Sequence, residues 1–183
     1  LIEPLYEDHP GVGIRELIQN SIDAVREFDF AVKNMPSTPK GDREELEGDV
    51  LVKLEQNDEG EYWVTVADRG IGMTWETVQE YYLTAGASFR QSDAWRKRFL
   101  DDSGSARVLR AGRFGIGILA GFLLGDRVQV FTRHLEARED KGIQFEFGLD
   151  DTNVEMRWLT RKVGTTVKVR TTKSVVDRLV NQH

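Results

Sequence analysis

Apolar and polar residues recur along the chain with two different periods, which predict where helices and strands lie. In residues 14–30 the apolar side chains recur at helical spacing and fall on one arc of a helix. Pro10, Gly11 and Gly13 precede this segment, so we expect the helix to begin near Ile14. Polar side chains at steps of four, three and four residues form a stripe on roughly the opposite side: Glu16, Asn20, Asp23 and Glu27. A polar stripe ordinarily faces water, and the periodicity alone assigns it no other role.

Stretches in which apolar residues occupy every second position predict strands. Residues 50–54 and 62–67 show this alternation, and the sequence NDEG at 57–60 between them favours a hairpin turn. Four more stretches in the second half of the chain have the same character: 127–134, 143–149, 154–160 and 165–171.

Shorter helices are predicted at three further places. Thr74 is a plausible N-cap for a helix that reaches about residue 83, residues 112–117 open another that continues to 123, and residues 174–180 favour a third. Residues 35–48 contain Pro, Ser and Gly and predict a loop, with a short helical turn at 43–46. Helices come first and strands then follow consecutively. This order predicts an α+β fold: a two-layer α/β sandwich with a mixed, mostly antiparallel sheet and helices on one face.

Composition narrows the possible functions only a little. The chain has 183 residues, 31% of them charged, and suits a single domain with a hydrophobic core. Its formal net charge of −6 argues against general nucleic-acid binding, which depends on a basic surface. There is no Cys and the three His are scattered, so disulfides and thiolate metal sites are excluded. No apolar run approaches the ~20 residues that cross a bilayer, and we expect a cytoplasmic protein without a membrane partner.

A stretch that follows a predicted strand, residues 68–73 with the sequence DRGIGM, changes the interpretation of the polar stripe. The carboxylate of Asp68 could accept a hydrogen bond from an exocyclic amine. Gly70 and Gly72 would let a flat base lie against the backbone, and Met73 could pack on its face. A turn aspartate that only satisfies local N–H groups fits the same pattern, so the residues alone leave both interpretations open.

Two other glycine-containing stretches are GRFGIG at 112–117 and Gly164-Thr165. Glycines before a helix let phosphate oxygens approach backbone N–H groups at its electropositive end, although such a cluster is more often only a tight turn. No GxxxxGK[ST] sequence is present and the setting is not an early βαβ unit, so neither a P-loop nor a Rossmann site is indicated. On the first helix, Asn20 offers an amide oxygen to Mg²⁺, and Glu16 could take a proton from an attacking water. Together these stretches indicate that the polar stripe faces a nucleotide.

Residues 84–111 are polar, with several glycines, serines and basic residues. A segment of this length between ordered elements is typical either of a functional lid or of a mobile insertion.

The order of these stretches resembles that of the GHKL (Bergerat-fold) ATPase superfamily, which includes gyrase, the ninety-kilodalton heat-shock chaperone, histidine kinases and MutL. Residues 16–24, ELIQNSIDA, resemble its N-box, and residues 68–73 its D-x-G-x-G box. Residues 112–117 resemble its second glycine box, and Gly164-Thr165 its last box. The resemblance covers nearly the whole chain and is closest to the N-terminal ATP-binding domain of the heat-shock chaperone. Members of that branch usually carry an aromatic residue where Ile118 stands here.

The resemblance implies a Bergerat fold, ATP or ADP as ligand and a role for each matching residue. It implies that Glu16 orients and activates water and that Asn20 binds Mg²⁺ and phosphate. It further implies that Asp68 bonds the adenine amine, assisted through water by Gly72 and Thr165. The remaining nucleotide-binding residues would support the pocket, line the base or cradle the phosphates: Asp23, Gly70, Met73, Gly112, Phe114, Gly115, Ile116 and Gly117. Residues 84–111 would be the ATP lid.

We therefore expect an ATP-binding and Mg-dependent ATP-hydrolysing module of a chaperone-like protein. The chain begins at Leu1, so we expect residues 1–183 to be one domain of a longer protein, weakly active alone. A client protein and an ATP-dependent homodimer are the expected partners of the full-length protein. One alternative is a nucleotide-gated switch in a DNA-repair, remodelling or defence protein. A sensor histidine kinase domain is less favoured, because it would not need Glu16.

Overall fold

A computed structural model of the chain describes residues 10–34, 42–79, 116–148, 151 and 154–181. Its strands are β1 (Val50–Gln56), β2 (Tyr62–Asp68), β3 (Arg127–Arg133), β4 (Gly142–Gly148), β5 (Glu155–Leu159) and β6 (Gly164–Thr171). They form one six-stranded sheet in the order β1-β2-β6-β3-β4-β5. Every neighbouring pair of these strands is antiparallel. The predicted α+β sandwich is confirmed.

The strand predictions agree with the structure to within two residues at each end. In the β1–β2 hairpin, the side-chain oxygen of Asn57 accepts the backbone N–H groups of Glu59 (3.1 Å) and Glu61 (2.8 Å). Asn57 therefore closes the turn through its own side chain, as expected of asparagine at this position.

The first helix, α1 (Pro10–Asn34), begins one turn earlier than predicted. Proline at the first position of a helix lacks only an N–H that would have no helical partner, so Pro10 starts the helix and does not break it. Gly13 is needed for close packing, since a Cβ there would lie 2.8 Å from the carbonyl oxygen of Ala120. That residue belongs to a 3₁₀ helix (Ile116–Leu123), which stands where a helix was predicted. Among the described residues, no helix is both long and apolar enough to cross a membrane.

The core lies between one face of the sheet and the helices. Alternate residues of the central strands point to this face, and α1 adds Leu17. The C-terminal helix, α2 (Lys173–Asn181), buries Val175. The sheet contributes most of the fully buried side chains: Val64, Val66, Val128, Val130 and Val169.

Residues 42–45, here called the strap, are not the helical turn that the sequence predicted. The backbone of Arg43 forms an isolated parallel bridge with Val163 just before β6. The N–H of Glu44 donates to the carbonyl oxygen of Val163 (3.0 Å), and the N–H of Val163 donates to the carbonyl oxygen of Asp42 (2.7 Å). Three ion pairs fix the strap to the end of the sheet: Asp42–Arg133, Glu44–Arg161 and Glu45–Lys162. These long-range contacts replace the local helical bonds.

Arg43 extends from the strap toward the helices. Its guanidinium lies 4.0 Å from the centroid of the Phe28 ring on α1. Its Nε donates to the carbonyl oxygen of Arg69, 2.7 Å away, in the loop after β2. The strap therefore joins the sheet end, α1 and this loop.

Candidate functional site

Three polar side chains lie side by side on the helix-facing side of the sheet. Asp68 on β2 is paired with Thr165 on β6, and Thr165 is paired with Thr132 on β3. All three are buried, at the positions where the apolar alternation of each strand would place a third core residue. Burial of polar groups lowers the stability of a fold unless each group is hydrogen-bonded. The hydrogen bonds of these three side chains are therefore described in turn.

The carboxylate of Asp68 accepts three hydrogen bonds. Its Oδ1 accepts the N–H groups of Gly70 (2.9 Å) and Thr165 (3.2 Å). Its Oδ2 accepts from the hydroxyl of Ser21 on α1, 3.1 Å away. Each carboxylate oxygen has about two lone-pair sites, so bonds from the described residues fill Oδ1 and leave one site on Oδ2.

Two of these three donors come from distant elements, so Asp68 is more than a turn aspartate. Only the bond from Gly70 is the local turn contact that the sequence also allowed. Burial raises the pKa of Asp68 to about 6, although the three hydrogen bonds and the charge of Arg161 act in the opposite direction. The ionised form still predominates at neutral pH, and it can accept one more donor.

Glycines 70 and 72 let the loop after β2 approach its neighbours. A Cβ at Gly70 would lie 2.5 Å from the Cβ of Ala24 on α1. Gly72 has a φ of +72°, and a Cβ there would collide with the carbonyl oxygen of Arg133. Close packing within the chain thus explains why glycine stands at both positions. Contact of these glycines with a base remains a prediction.

A hydroxyl network continues from Asp68 along the row. The hydroxyls of Thr165 and Thr132 are 3.0 Å apart. The oxygen of Thr132 also accepts the backbone N–H of Met73, 2.9 Å away. The side chain of Met73 is half-buried and packs against the core. Its backbone is held by the bond to Thr132, and therefore by the same row that contains Asp68.

The polar stripe of α1 is not simply a solvated face. Glu16, Asn20 and Asp23 are half-buried, and only Glu27 is exposed. Ser21 follows Asn20 directly, so its bond to Asp68 places the stripe beside the carboxylate. The oxygen of Asp23 accepts hydrogen bonds from Gln19 (3.1 Å) and Arg26 (3.2 Å) on the same helix.

Burial raises the pKa of Glu16, and the neighbouring charge of Arg15 partly offsets the effect. A carboxylate with a raised pKa is a stronger proton acceptor than an exposed one. In the described part of the chain, no other residue forms a hydrogen bond or an ion pair with the side chains of Glu16 and Asn20.

Several predicted site residues fall where the structure gives no side-chain description. Gly112, Phe114 and Gly115 lie outside the described residues, as does the predicted lid at 84–111. Ile116 and Gly117 are the first two residues of the 3₁₀ helix. The described residues contain no group of three or more His, Cys, Asp or Glu that could hold a metal. A single amide such as Asn20 suits Mg²⁺ that arrives with phosphates, because Mg²⁺ keeps most of its waters.

Ser21 and Thr132 are the site residues that the sequence did not reveal. Ser21 interrupts the buried line Leu17, Val25 and Phe28 on α1, and Thr132 ends the buried alternation Val128, Val130. A hydroxyl within a buried apolar series is the signal that could have identified each of them.

Comparison with known proteins shows the family to which the chain is similar. The family described as Histidine kinase-, DNA gyrase B-, and HSP90-like ATPase matches residues 9–175. The protein named Chaperone protein HtpG from Serratia proteamaculans (strain 568) is 33% identical over 149 residues, which are 80% of this chain and 22% of that protein. Its namesake from Aliivibrio fischeri (strain ATCC 700601 / ES114) is 32% identical over 164 residues, or 86% of this chain and 24% of that protein. The chain thus spans about a fifth to a quarter of the length of these relatives.

Proposed function

Since the chain belongs to the histidine kinase-, DNA gyrase B- and HSP90-like ATPase family, we propose that it binds ATP and ADP at Asp68 and hydrolyses ATP with Mg²⁺. The observation that carries the proposal is the lone pair of a buried carboxylate, that of Asp68, to which none of the described residues donates. An adenine amine would supply the fourth donor. A guanine would present a carbonyl oxygen there, and two acceptors would face each other.

The polar stripe of α1 provides the groups for the phosphate end. Asn20 would hold Mg²⁺ through its amide oxygen, and the ion would neutralise phosphate charge when it is bound with ATP. Glu16 would accept the proton of the attacking water, and its burial favours this role. Asp23 would support the stripe through its bonds to Gln19 and Arg26.

We place this activity in a longer, cytoplasmic, chaperone-like protein. The support is that the chain matches about a fifth to a quarter of the length of relatives named chaperones. The segment 84–111 would close over ATP as a lid, and the glycines of 112–117 would cradle the phosphates. Closure would be coupled to association of two copies of the full-length protein and to the handling of client proteins.

Titration of the 183-residue chain with ADP and ATP tests the assignment of Asp68. Asp68→Asn keeps acceptors for Gly70 and Thr165 but turns an N–H toward the adenine amine. The lost bond to a charged group is worth roughly 1.5–3 kcal/mol, so affinity should fall about 10- to 150-fold. Asp58→Asn, at the exposed tip of the β1–β2 hairpin, is the matched control and should bind as the parent does. Unchanged affinity in Asp68→Asn would place the base elsewhere, and GDP should bind the parent poorly.

A further inference from the structure

The guanidinium of Arg43 is largely buried but has no close carboxylate partner within the described residues. Its side chain is 14% exposed, and its one ion pair there is to the exposed carboxylate of Asp29, 4.0 Å away. Its Nη2 is buried and has no hydrogen-bond partner in the same part of the chain. The one hydrogen bond of this side chain within the described residues runs from Nε to the carbonyl oxygen of Arg69, at 2.7 Å. A buried charge is costly unless it is compensated, so the group that this bond reaches is important.

The carbonyl of Arg69 is one end of a peptide unit whose other end meets Asp68. This carbonyl and the N–H of Gly70 belong to the same peptide, and no cis peptide occurs among the described residues. The two groups therefore point in opposite directions from one plane. The N–H of Gly70 donates to Oδ1 of Asp68, 2.9 Å away. A cation thus bonds the oxygen of this peptide while an anion bonds its hydrogen.

The two hydrogen bonds support each other. Each involves a charged group, and such bonds are stronger than bonds between neutral groups. Each also polarises the peptide in the direction that strengthens the other. Burial is the main effect on the pKa of Arg43 and lowers it, and the charge of Asp68 is among those that act in the opposite direction. Arg43 and Asp68 therefore form an ion pair that acts through a peptide unit.

The Arg69–Gly70 peptide depends on these side chains for its orientation. The peptides on either side of it are held by main-chain hydrogen bonds of 3.0 Å, one to the residue before β1 and one to α1. The Arg69–Gly70 unit has no main-chain partner in the described part of the chain. The residue that follows it is glycine, whose backbone tolerates a rotated peptide. Arg43 and Asp68 therefore fix the plane from its two ends.

We propose that Arg43 is a positioning residue of the nucleotide site, which holds the Arg69–Gly70 peptide so that the Gly70 N–H faces the carboxylate of Asp68. Arg43 itself touches no nucleotide. It belongs to the strap, whose ion pairs fix it to the end of the sheet, so the strap becomes part of the site. The effect on affinity rests on the proposed binding of ADP and ATP at Asp68.

The test follows the amide of Gly70 by NMR in the isotope-labelled 183-residue chain without nucleotide, and then measures ADP affinity by titration. Arg43→Met keeps an unbranched side chain over the ring of Phe28 but removes the charge and the donor. We expect the Gly70 amide proton signal to move to higher field, because its hydrogen bond weakens. Affinity for ADP should fall about 3- to 10-fold, the size of one hydrogen bond.

Two further variants separate charge from packing. Arg43→Lys keeps a cationic donor and should lie closer to the parent than to Arg43→Met in both measurements. Glu45→Gln is the matched control on the strap, because the partner of Glu45 is the exposed Lys162, and it should leave both values parental.

A purely structural role of Arg43 predicts a different result. Arg43→Met would then lower the free energy of unfolding in urea, while the Gly70 signal and the ADP affinity stay parental, and the inference would be wrong. A shifted Gly70 signal with parental affinity, or equal losses in the methionine and lysine variants, would also overturn it. Arg43→Gln, which has no charge, takes the place of the methionine variant should that variant not fold, with the same expected directions. If the parent binds no ADP, the proposed function fails, whereas the Gly70 signal still decides whether Arg43 positions the peptide.

Discussion

Asp68 accepts three hydrogen bonds and is only 4% exposed. Burial has the larger effect and raises its pKa from 3.8 to about 6. The folded protein therefore holds this proton more tightly than the unfolded chain does. The stabilisation that comes from the protonated form is complete below about pH 4 and is lost as the pH rises through about 6. The free energy of unfolding is thus lower at neutral pH than in acid, because the buried carboxylate of Asp68 is then charged.

The first prediction is that Asp68→Asn raises the free energy of unfolding at pH 7.5. Asparagine can accept from Gly70 and Thr165 with its oxygen and donate to Ser21 with its nitrogen, without a buried charge. The gain should be on the order of 1–3 kcal/mol and should shrink as the pH falls to 5. Urea unfolding at both pH values measures it, with Asp58→Asn as control. An Asp68→Asn variant that is less stable than the parent at both pH values would contradict this account.

The second prediction concerns the pH dependence of binding. The bond to an adenine amine needs the ionised carboxylate of Asp68, so affinity should be constant well above pH 6 and should decline below it. Adenosine is the suitable ligand because it has no phosphate that titrates in this range. Its affinity should be about tenfold lower at pH 5 than at pH 7.5, measured by titration. Asp68→Asn should bind weakly with no such dependence, and a parent without a decline would show that the carboxylate stays ionised.

At the scale of elements, α1 carries both ends of the proposed site. Ser21 bonds the carboxylate of Asp68, the proposed base-binding group, while Asn20 and Glu16 extend one turn toward the helix start. One helix can therefore set the distance between base and phosphates, because its backbone holds these side chains at a fixed rise of 1.5 Å per residue.

The third prediction separates binding from catalysis on this helix. Asn20→Ala removes the Mg²⁺ ligand and should weaken binding of the Mg-nucleotide, and hydrolysis with it. Glu16→Ala removes only the proton acceptor, so binding should persist while turnover falls ~10²–10⁴-fold. Titration and phosphate release would be measured in the full-length protein. Glu27→Ala, the exposed fourth member of the stripe, should change neither quantity. Parental turnover in Glu16→Ala would favour a nucleotide-gated switch over an ATPase.

The fourth prediction concerns the strap. The side chain of Arg161 is 7% exposed and pairs with Glu44 at 2.9 Å, whereas Glu45 pairs with an exposed Lys162. Glu44→Gln would leave the buried guanidinium without a charged partner and should lower the free energy of unfolding by about 1–2 kcal/mol. Glu45→Gln, one residue further along, should have no measurable effect. Equal effects in chemical denaturation would show that the strap does not depend on burial of its pairs.

At the scale of the whole molecule, the fifth prediction concerns residues 84–111, which carry six basic residues and lie outside the described part of the chain. If this segment closes over ATP, its amides should exchange more slowly with a non-hydrolysable ATP analogue than with ADP, because only the former offers a γ-phosphate. Hydrogen exchange followed by mass spectrometry reports this. The β1–β2 hairpin is an internal control that should be unaffected, and equal exchange with both ligands would exclude a γ-phosphate-dependent lid.

Local periodicity was sufficient to predict the strands and most of α1, because sequence period and burial coincide in α1, β3, β4 and β6. In β1 and β2 burial does not alternate, and only the positions of these strands were predicted. It failed at Pro10, since proline is compatible with either the start or the interruption of a helix. It failed at 43–46, where pairing with Val163 outweighs the helical tendency of the residues. Ser21 and Thr132 went unrecognised because their partners lie 47 and 33 positions away in the sequence. Asp68 was recognised as a candidate site residue only because it stands in the glycine-containing stretch 68–73.

The place of β6 in the sheet has a consequence for how the protein is made. Among the described residues β6 is the last strand, yet it lies between β2 and β3, and in that part of the chain it alone joins β1–β2 to β3–β4–β5. A growing polypeptide on the ribosome must therefore carry two unjoined sheet halves, each with an open edge, until residues 164–171 emerge. Thr165 arrives with that strand and completes the row with Asp68 and Thr132, so the row cannot form before residues 164–171 have been synthesised.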